Sequence, residues 1–331
     1  MWSTPSAPVL VTGGAGFIGS RLVRSLAAAG HPVRVLDDLT TGRPESVESV
    51  PGATLVRGSV LDADAVAEAA RGTGLVLHLA GVVGMRLAAQ QAELAYAVGR
   101  RGTANVLAHT GDTPVVLVSS SAVYGLSDST AELREEQAMD RAVPLAYDGG
   151  SPGYATGKWE MERLGREAAR HRPVLTVRPF NVVGPGQRGR YGMVLPTFFR
   201  QAESGQPLTV HGDGSQRRCF TDIDQFTRRL LDLAATEAAW RPDANVFNIG
   251  SRTETTIARL ARLVLDATGS TAGSVHVPYE SVFPGRTDVT GRVPCLDRLT
   301  AAVGETDWLS AAALVRKTAQ ARRADALAAT R

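Results

Sequence analysis

The sequence predicts an α/β fold built on a parallel sheet covered on both faces, and three observations predict it. Short apolar runs alternate with helical patterns through the first half of the 331 residues. The strand-like runs are continuously apolar, as strands buried on both sides require. No internal repeat or low-complexity linker interrupts them.

"APVLVTG" (7–13) reads as a buried strand, and "FIGSRLVRSLAAAG" (17–30) as a helix closed by Gly30. "HPVRVLDD" (31–38) and "ATLVRGSV" (53–60) are the second and third strands. "DADAVAEAARG" (62–72) is a helix with Asp62 as its N-cap. "GLVLHLAG" (74–81) and "TPVVLVSS" (113–120) are two more strands.

The second half is less regular. "PVLTVRPFNVVG" (173–184) is a strand running into a loop, and "RYGMVLPTFFRQAESG" (190–205) holds a helix. "PLTVHGDG" (207–214) is a short strand and turn, "NVFNIG" (245–250) a buried strand, and "ETTIARLARLVLDATG" (254–269) an amphipathic helix. Pieces such as "VGPGQRGR" read as loops shaping a site rather than as a second independent domain.

With 44% hydrophobic and 21% charged residues, the composition is that of an ordinary globular protein. A formal charge of +3, with dispersed arginines, argues against nucleic-acid binding. No run approaches the roughly 20 apolar residues of a membrane span. The first residues lack the charged and apolar regions of a signal peptide, so a cytoplasmic location is expected. Cys219 and Cys295 fit no metal-ligand spacing and read as reduced thiols. The six histidines form no HxxxH or HxH pair, so no metal is expected.

"TGGAGFIG" (12–19) places Gly13, Gly16 and Gly19 between a strand and a helix. Glycine lets the backbone turn tightly against a pyrophosphate, whose charge the helix N-terminus then meets. The second strand ends in Asp37-Asp38. A carboxylate there accepts the ribose hydroxyls of NAD and repels the 2′-phosphate of NADP, although Arg43 follows and could bend back. NAD is therefore the expected cofactor. Asp38 by itself reads as a solvated turn residue.

The chain has two lysines among 36 basic residues. Lys317 falls in a run that reads as helix surface. Lys158 follows Tyr154 by four residues, so the two share a helix face in "YATGKWEMERLGREAARH". A tyrosine titrating at about 10 is a poor base at neutral pH, and a neighbouring ammonium lowers that value. Lysine also extends a compact donor toward a cofactor ribose, where a guanidinium would be bulkier. Alone, Y-x-x-x-K is a common accident; downstream of the glycine loop it points to catalysis. "VSSSAVYG" (118–125) lies at a strand's carboxyl end, where such sheets place ligands. A serine hydroxyl there can bond the substrate oxygen that Tyr154 deprotonates, although Ser119 or Ser121 could equally pack or cap.

Together "TGGAGFIGS", "HLAG", "SSSAVYG", "YATGK", "RPFNVVGPGQ" and "HGDGSQRRCFTDID" resemble the extended short-chain dehydrogenase/reductase family, in particular its NAD-dependent nucleotide-sugar epimerases, dehydratases and decarboxylases. The resemblance runs from about residue 8 to 305. It implies a Rossmann-type doubly wound parallel sheet with a smaller C-terminal substrate-binding lobe. The expected division is 1–180 for the NAD domain, with segments of about 220–258 returning to it, and 181–331 mainly for the sugar-nucleotide lobe. It implies a homodimer through helices near 90–110 and 154–170.

By resemblance Tyr154 is the base, Lys158 its partner, and Ser120, four before Tyr124, the hydroxyl-binding residue. Gly13, Gly16, Phe17, Ile18, Gly19, Asp37, Ser59, Val60, Leu79, Ala80 and Gly81 are expected at the cofactor, with Tyr154 and Lys158. Ser120, Ser121, Asn181, Val194, Arg218 and Arg292 are expected at the substrate. Asn181 and the two arginines fall where the family contacts the nucleotide diphosphate, though a surface salt bridge is the ordinary reading of either arginine alone.

Three positions depart from the family. Ser59 replaces an adenine-contacting aspartate, Gly99 a usual asparagine and Gly157 a usual serine, and these are expected to loosen NAD contacts. A fourth bears on the reaction. Dehydratases and decarboxylases of the family resemble one another in a glutamate two before the "YG" tyrosine, where this chain has Ala122. The expected activity is C4 epimerisation of a nucleoside diphosphate sugar, UDP-linked by preference, through a 4-keto intermediate. UDP-glucuronate decarboxylation, or another 4-keto-forming nucleotide-sugar reaction, is the close alternative, and a non-catalytic NAD-binding regulator the remote one.

Overall fold

The computed structural model describes residues 7–126, 131–138, 148, 150–189, 192–285 and 288–329. One seven-stranded sheet holds β1 (Val9–Thr12), β2 (Val33–Asp37), β3 (Ala53–Arg57), β4 (Leu75–His78), β5 (Val115–Val118), β6 (Val174–Pro179) and the strand Val246–Ile249. From one edge the order is Val246–Ile249, β6, β5, β4, β1, β2, β3. Every pairing in it is parallel, giving the Rossmann-type sheet expected.

Along β1, Val9 and Val11 face one core layer and Leu10 the other, because successive strand side chains point to opposite faces. The first layer takes Leu22 and Leu26 of helix Phe17–Ala28 and Phe226 and Leu230 of helix Ile223–Ala235. The second takes Val66 of helix Ala63–Ala70, Val106 of helix Thr103–His109 and Met161 of helix Tyr154–Ala168. Helices on both faces are why the strands read as unbroken apolar runs. The strand order reverses between β1 and β4, and there the crevice opens above the carboxyl ends Thr12 and His78.

Asp62 caps its helix as expected, accepting the N–H groups of Asp64 at 3.0 Å and Ala65 at 3.2 Å. A smaller hydrophobic cluster, including Phe198, Phe199, Leu208, Leu260 and Leu314, builds the lobe beyond the sheet. Its helix Val194–Glu203 lies in the run expected to hold one, whose first residues Arg190 and Tyr191 lie outside the described residues. The segment expected as helix from 254 divides. Glu254–Thr256 pairs antiparallel with Arg217–Cys219, and the helix begins at Ile257, with Thr256 capping the Arg259 N–H at 3.1 Å. β-Branched Thr255 and Thr256 favour the extended state until the cap is reached.

Lys317 is half-buried and paired rather than simply solvated. From the C-terminal helix Ala311–Ala329 it meets Asp222 at 2.7 Å and Asp224 at 2.7 Å. Asp222 is 1% exposed and also caps helix Ile223–Ala235, so the second lysine clamps the last helix to the sheet domain. Cys219 and Cys295 are both buried free thiols.

Candidate active site

Above the carboxyl ends of the strands lies a cleft of about 990 Å³, and every candidate residue named from the sequence lines it. Its floor is the turn from β1 into helix Phe17–Ala28. Gly13 adopts φ +70, and a Cβ there would stand 2.8 Å from the Ala80 nitrogen. A Cβ on Gly19 would stand 2.2 Å from the Gly13 carbonyl oxygen, so only glycine lets the helix approach its own turn. No side chain caps this helix at Gly16, which leaves its first N–H groups for an anion. The cradle fits a dinucleotide pyrophosphate.

Asp37 ends β2 as expected, but its carboxylate is already engaged. Oδ2 accepts the Ala15 N–H at 2.9 Å and Oδ1 the Leu39 N–H at 2.8 Å. Burial raises its pKa and those N–H bonds oppose the rise. A carboxylate has about four acceptor sites, so capacity remains for a ribose. The following loop does bend back: the Arg43 N–H bonds the Ala15 carbonyl at 3.1 Å, and Arg43 lines the cleft. Asp37→Ala should therefore narrow the preference for NAD over NADP by roughly tenfold or more, about 1.4 kcal/mol, because repulsion goes and Arg43 stays. Titrating both cofactors against the two proteins by fluorescence checks this. Tighter NADP binding by the wild type would overturn the role of Asp37. Ser59 lines the same end of the cleft, its Oγ accepting the Leu61 N–H at 3.2 Å.

Tyr154 opens helix Tyr154–Ala168 and Lys158 follows one turn later, both on the cleft. Asp148, which sequence reading missed, holds this helix end. Its carboxylate accepts the N–H groups of Ala155 at 3.0 Å and Thr156 at 2.8 Å, and the Thr156 hydroxyl at 2.7 Å. Lys158 is 4% exposed and donates to the Val118 carbonyl at 2.7 Å. Burial pulls its pKa down to about 8, opposed by the negative charge of Glu162.

Ser120 caps the 3-10 turn Ser121–Tyr124, its Oγ accepting the Ala122 N–H at 3.1 Å. That bond leaves the hydroxyl hydrogen to be donated. The Ser119 hydroxyl is instead engaged, donating to Glu162 at 2.5 Å, and Ser121 is buried on the cleft wall.

The "HLAG" histidine is a structural strut. The Thr103 hydroxyl donates to the Gly99 carbonyl at 2.6 Å, so His78 Nε2 donates to Thr103 at 3.1 Å and Nδ1 accepts from Thr12 at 2.7 Å. Burial, with Lys158 nearby, lowers its pKa to about 3 and keeps it neutral. Gly99 and Gly157 do not line the cleft, and a Cβ on Gly99 would stand 2.6 Å from the Gly157 carbonyl carbon. These two departures form one close helix contact.

On the lobe side, the Asn181 amide donates to the Cys219 carbonyl at 3.0 Å, and Val194 begins its helix. Arg218 meets Asp288 at 2.8 Å, so a carboxylate already offsets part of its charge. Arg292 is 8% exposed and donates to the Gly125 carbonyl, which sets its guanidinium at the turn that carries Ser120.

Comparison with known proteins agrees with this geometry. Residues 9–250 match the model of the NAD dependent epimerase/dehydratase family. The UDP-N-acetyl-alpha-D-glucosaminuronate decarboxylase of Bacillus cytotoxicus is 33% identical over 298 residues, covering 88% of this chain and 89% of that one. An epimerase from Methanothermobacter thermautotrophicus superposes with a TM-score of 0.87 at 26% identity, covering 97% of this chain and 94% of that one. A Thermus thermophilus UDP-glucose 4-epimerase in complex with NAD gives 0.79 at 25% identity, covering 96% and 99%. With a match over most of its length and a glycine cradle that fits the pyrophosphate, the chain belongs to the NAD dependent epimerase/dehydratase family and its cofactor is NAD.

Proposed function

We propose that the protein is a 4-epimerase of a nucleoside diphosphate sugar, with UDP-sugars the favoured substrates. Tyr154 takes the proton of the sugar 4-hydroxyl while the Lys158 ammonium stabilises the phenolate and the Ser120 hydroxyl holds the same oxygen. Bound NAD supplies the acceptor, and then the donor, of the hydride at C4. Gly13, Gly16 and Gly19 would hold its pyrophosphate, Asp37 a ribose, Ser59 and Val60 the adenine end, and Lys158 the second ribose. Phe17, Ile18 and Leu79 to Gly81 wall the same site. Asn181, Val194 and Arg218 would hold the nucleotide of the sugar. The 4-keto sugar turns over in the cleft and is reduced on its other face, with Tyr154 returning the proton.

The observation that carries this reading is Ala122, which is 3% exposed and lines the cleft. A methyl group moves no proton at C5, and elimination of water across C5–C6 requires one to be moved. C4 oxidation and re-reduction do not.

A second reading, decarboxylation of a nucleotide-linked uronate, is favoured by the Bacillus cytotoxicus relative, matched over nearly the whole of both chains. It is also favoured by the cationic Arg292 beside the Ser120 turn, where a carboxylate would find a partner. A 4-keto uronate is a β-keto acid. It loses carbon dioxide as the electron pair moves to O4, which needs no side chain at 122; C5 of the resulting enolate must then take a proton, which with Ala122 on the cleft wall would come from water.

The test is a panel of UDP-, dTDP- and GDP-sugars in hexose, N-acetylhexosamine and uronate forms, read by mass spectrometry and NMR. An unchanged mass with inversion at C4 is expected. Loss of carbon dioxide would select the second reading, and loss of water would sink both. A NAD-loaded protein that turns over none of them would be a non-catalytic regulator.

A further inference from the structure

Beneath the reacting residues lies a charge pair that the proposed chemistry does not use. Glu162 is 1% exposed and Arg178 is 0% exposed. Arg178 grips the carboxylate twice, through Nε at 2.9 Å and Nη2 at 2.6 Å. Its remaining nitrogen, Nη1, donates to the Tyr124 hydroxyl at 2.9 Å and the Glu135 carbonyl at 2.8 Å. Tyr124 passes its own hydrogen to Asn248 at 2.8 Å, and Asn248 lies on the edge strand of the sheet. Two buried charges so fully bonded are poor evidence for stability, since apolar residues of the same volume often serve as well. Their position suggests another use.

Glu162 lies one helical turn beyond Lys158, on the same face. The two side chains hold adjacent residues of one strand end: Lys158 bonds the Val118 carbonyl at 2.7 Å, and Glu162 takes the Ser119 hydroxyl at 2.5 Å. The next residue along is Ser120, and one turn back along the helix is Tyr154. Two bonds therefore set the height of the Tyr154 helix against the serine that shares its substrate oxygen. The pair also anchors both ends of the serine turn, through Ser119 and through Tyr124.

We propose that Glu162, held by Arg178, is a positioning residue that fixes the Tyr154–Lys158 helix against Ser120 and supports the charge on Lys158. Among the described residues, Lys158 meets the Val118 carbonyl on β5 and the Met161 sulfur at 3.8 Å, with Glu162 one turn on and Tyr154 one turn back along its own helix and neutral His78 on β4 nearby. Arg178 on β6 stands behind Glu162. Among the ionisable groups, Glu162 supplies the negative charge. Removing it leaves Arg178 uncompensated, and both changes disfavour the ammonium.

The role of Glu162 in turnover rests on the 4-keto reading, but its effect on Lys158 does not, and the experiment separates them. With two lysines in the chain, labelling lysine with ¹³C at the ε position gives two resonances, and Lys317 serves as an internal control. In the NAD-loaded protein, Glu162→Gln should lower the Lys158 midpoint by about one pH unit and leave Lys317 unmoved. On whichever sugar the wild type turns over, kcat should fall at least roughly tenfold with KM within about twofold, and the alkaline limb of the rate profile should move to lower pH. Ser119→Ala, which removes one bond and no charge, should lower kcat severalfold without moving that limb.

A folded Glu162→Gln protein whose Lys158 titrates as in the wild type would overturn the proposal, whatever its turnover. If Glu162→Gln does not fold, Ser119→Ala and Tyr124→Phe decide, and wild-type kcat in both would overturn it. If no sugar is turned over by the wild type, the 4-keto reading fails and the lysine titration alone decides.

Discussion

Tyr154→Phe is expected to fold, to keep NAD, and to lose turnover by roughly 10²–10⁴-fold, the span of general acid–base catalysis. The ring remains, so the start of helix Tyr154–Ala168 keeps its packing, and the Asp148 bonds to Ala155 and Thr156 do not involve the phenol oxygen. What goes is the group that the proposed reading uses to carry the 4-hydroxyl proton in both directions. The neighbouring ammonium sets the pH range. Lys158 is held down to about 8, chiefly by burial. Below that value the lysine is charged and favours the phenolate; above it the lysine loses its proton and that support goes. Wild-type turnover should therefore fall as the pH rises past about 8, and the phenylalanine variant's residual rate should not follow that fall. The readouts are NAD absorbance of the purified variant, a thermal melt, and rates across pH. Near-wild-type turnover in a folded, NAD-loaded variant would remove the mechanism.

The parts of this protein legible in its sequence are those whose chemistry is local. A glycine turn between a strand and a helix, a carboxylate at a strand end, and a tyrosine and lysine four apart each carry their meaning in a few consecutive residues, and all line one cleft. The support of the site is not local. Gly153 occupies the N-cap position of the Tyr154 helix without a side chain to cap it, and Asp148 reaches in from upstream to do so. Glu162 reads as one more polar residue in a helical run, and only the approach of β6 gives it Arg178. Lys317 looks like surface because Asp222 and Asp224 lie far away in sequence. His78 reads as part of a buried strand, yet it is wired from Thr12 to Thr103. Each is a buried polar group that needs a partner, and sequence spacing does not reveal partners brought in by tertiary packing.

The two glycine departures meet in the same way and carry the second large effect. Gly99 lies in a five-residue π-helical turn, Val98–Gly102, that faces helix Tyr154–Ala168. A Cβ on Gly99 would lie 2.6 Å from both the carbonyl carbon and oxygen of Gly157, and one on Gly157 would lie 2.9 Å from the Ala95 oxygen. Both sides of the contact are backbone, so no rotamer change relieves it. Gly99→Asn must push the helices apart. Overpacking of this kind costs about 1–3 kcal/mol, a drop of several degrees in Tm for a chain of this size. The displaced helix carries Tyr154 and Lys158, and a shift of about 1 Å in a reacting group can cost roughly a hundredfold in rate. Gly99→Asn should therefore lose turnover well before it loses its fold. Gly157→Ser should show the same pattern more weakly, because its nearest clash is longer. Melting curves, NAD content and initial rates on the two variants check this. Wild-type stability and turnover in Gly99→Asn would mean that the two helices can separate without moving Tyr154, and would detach this contact from the chemistry.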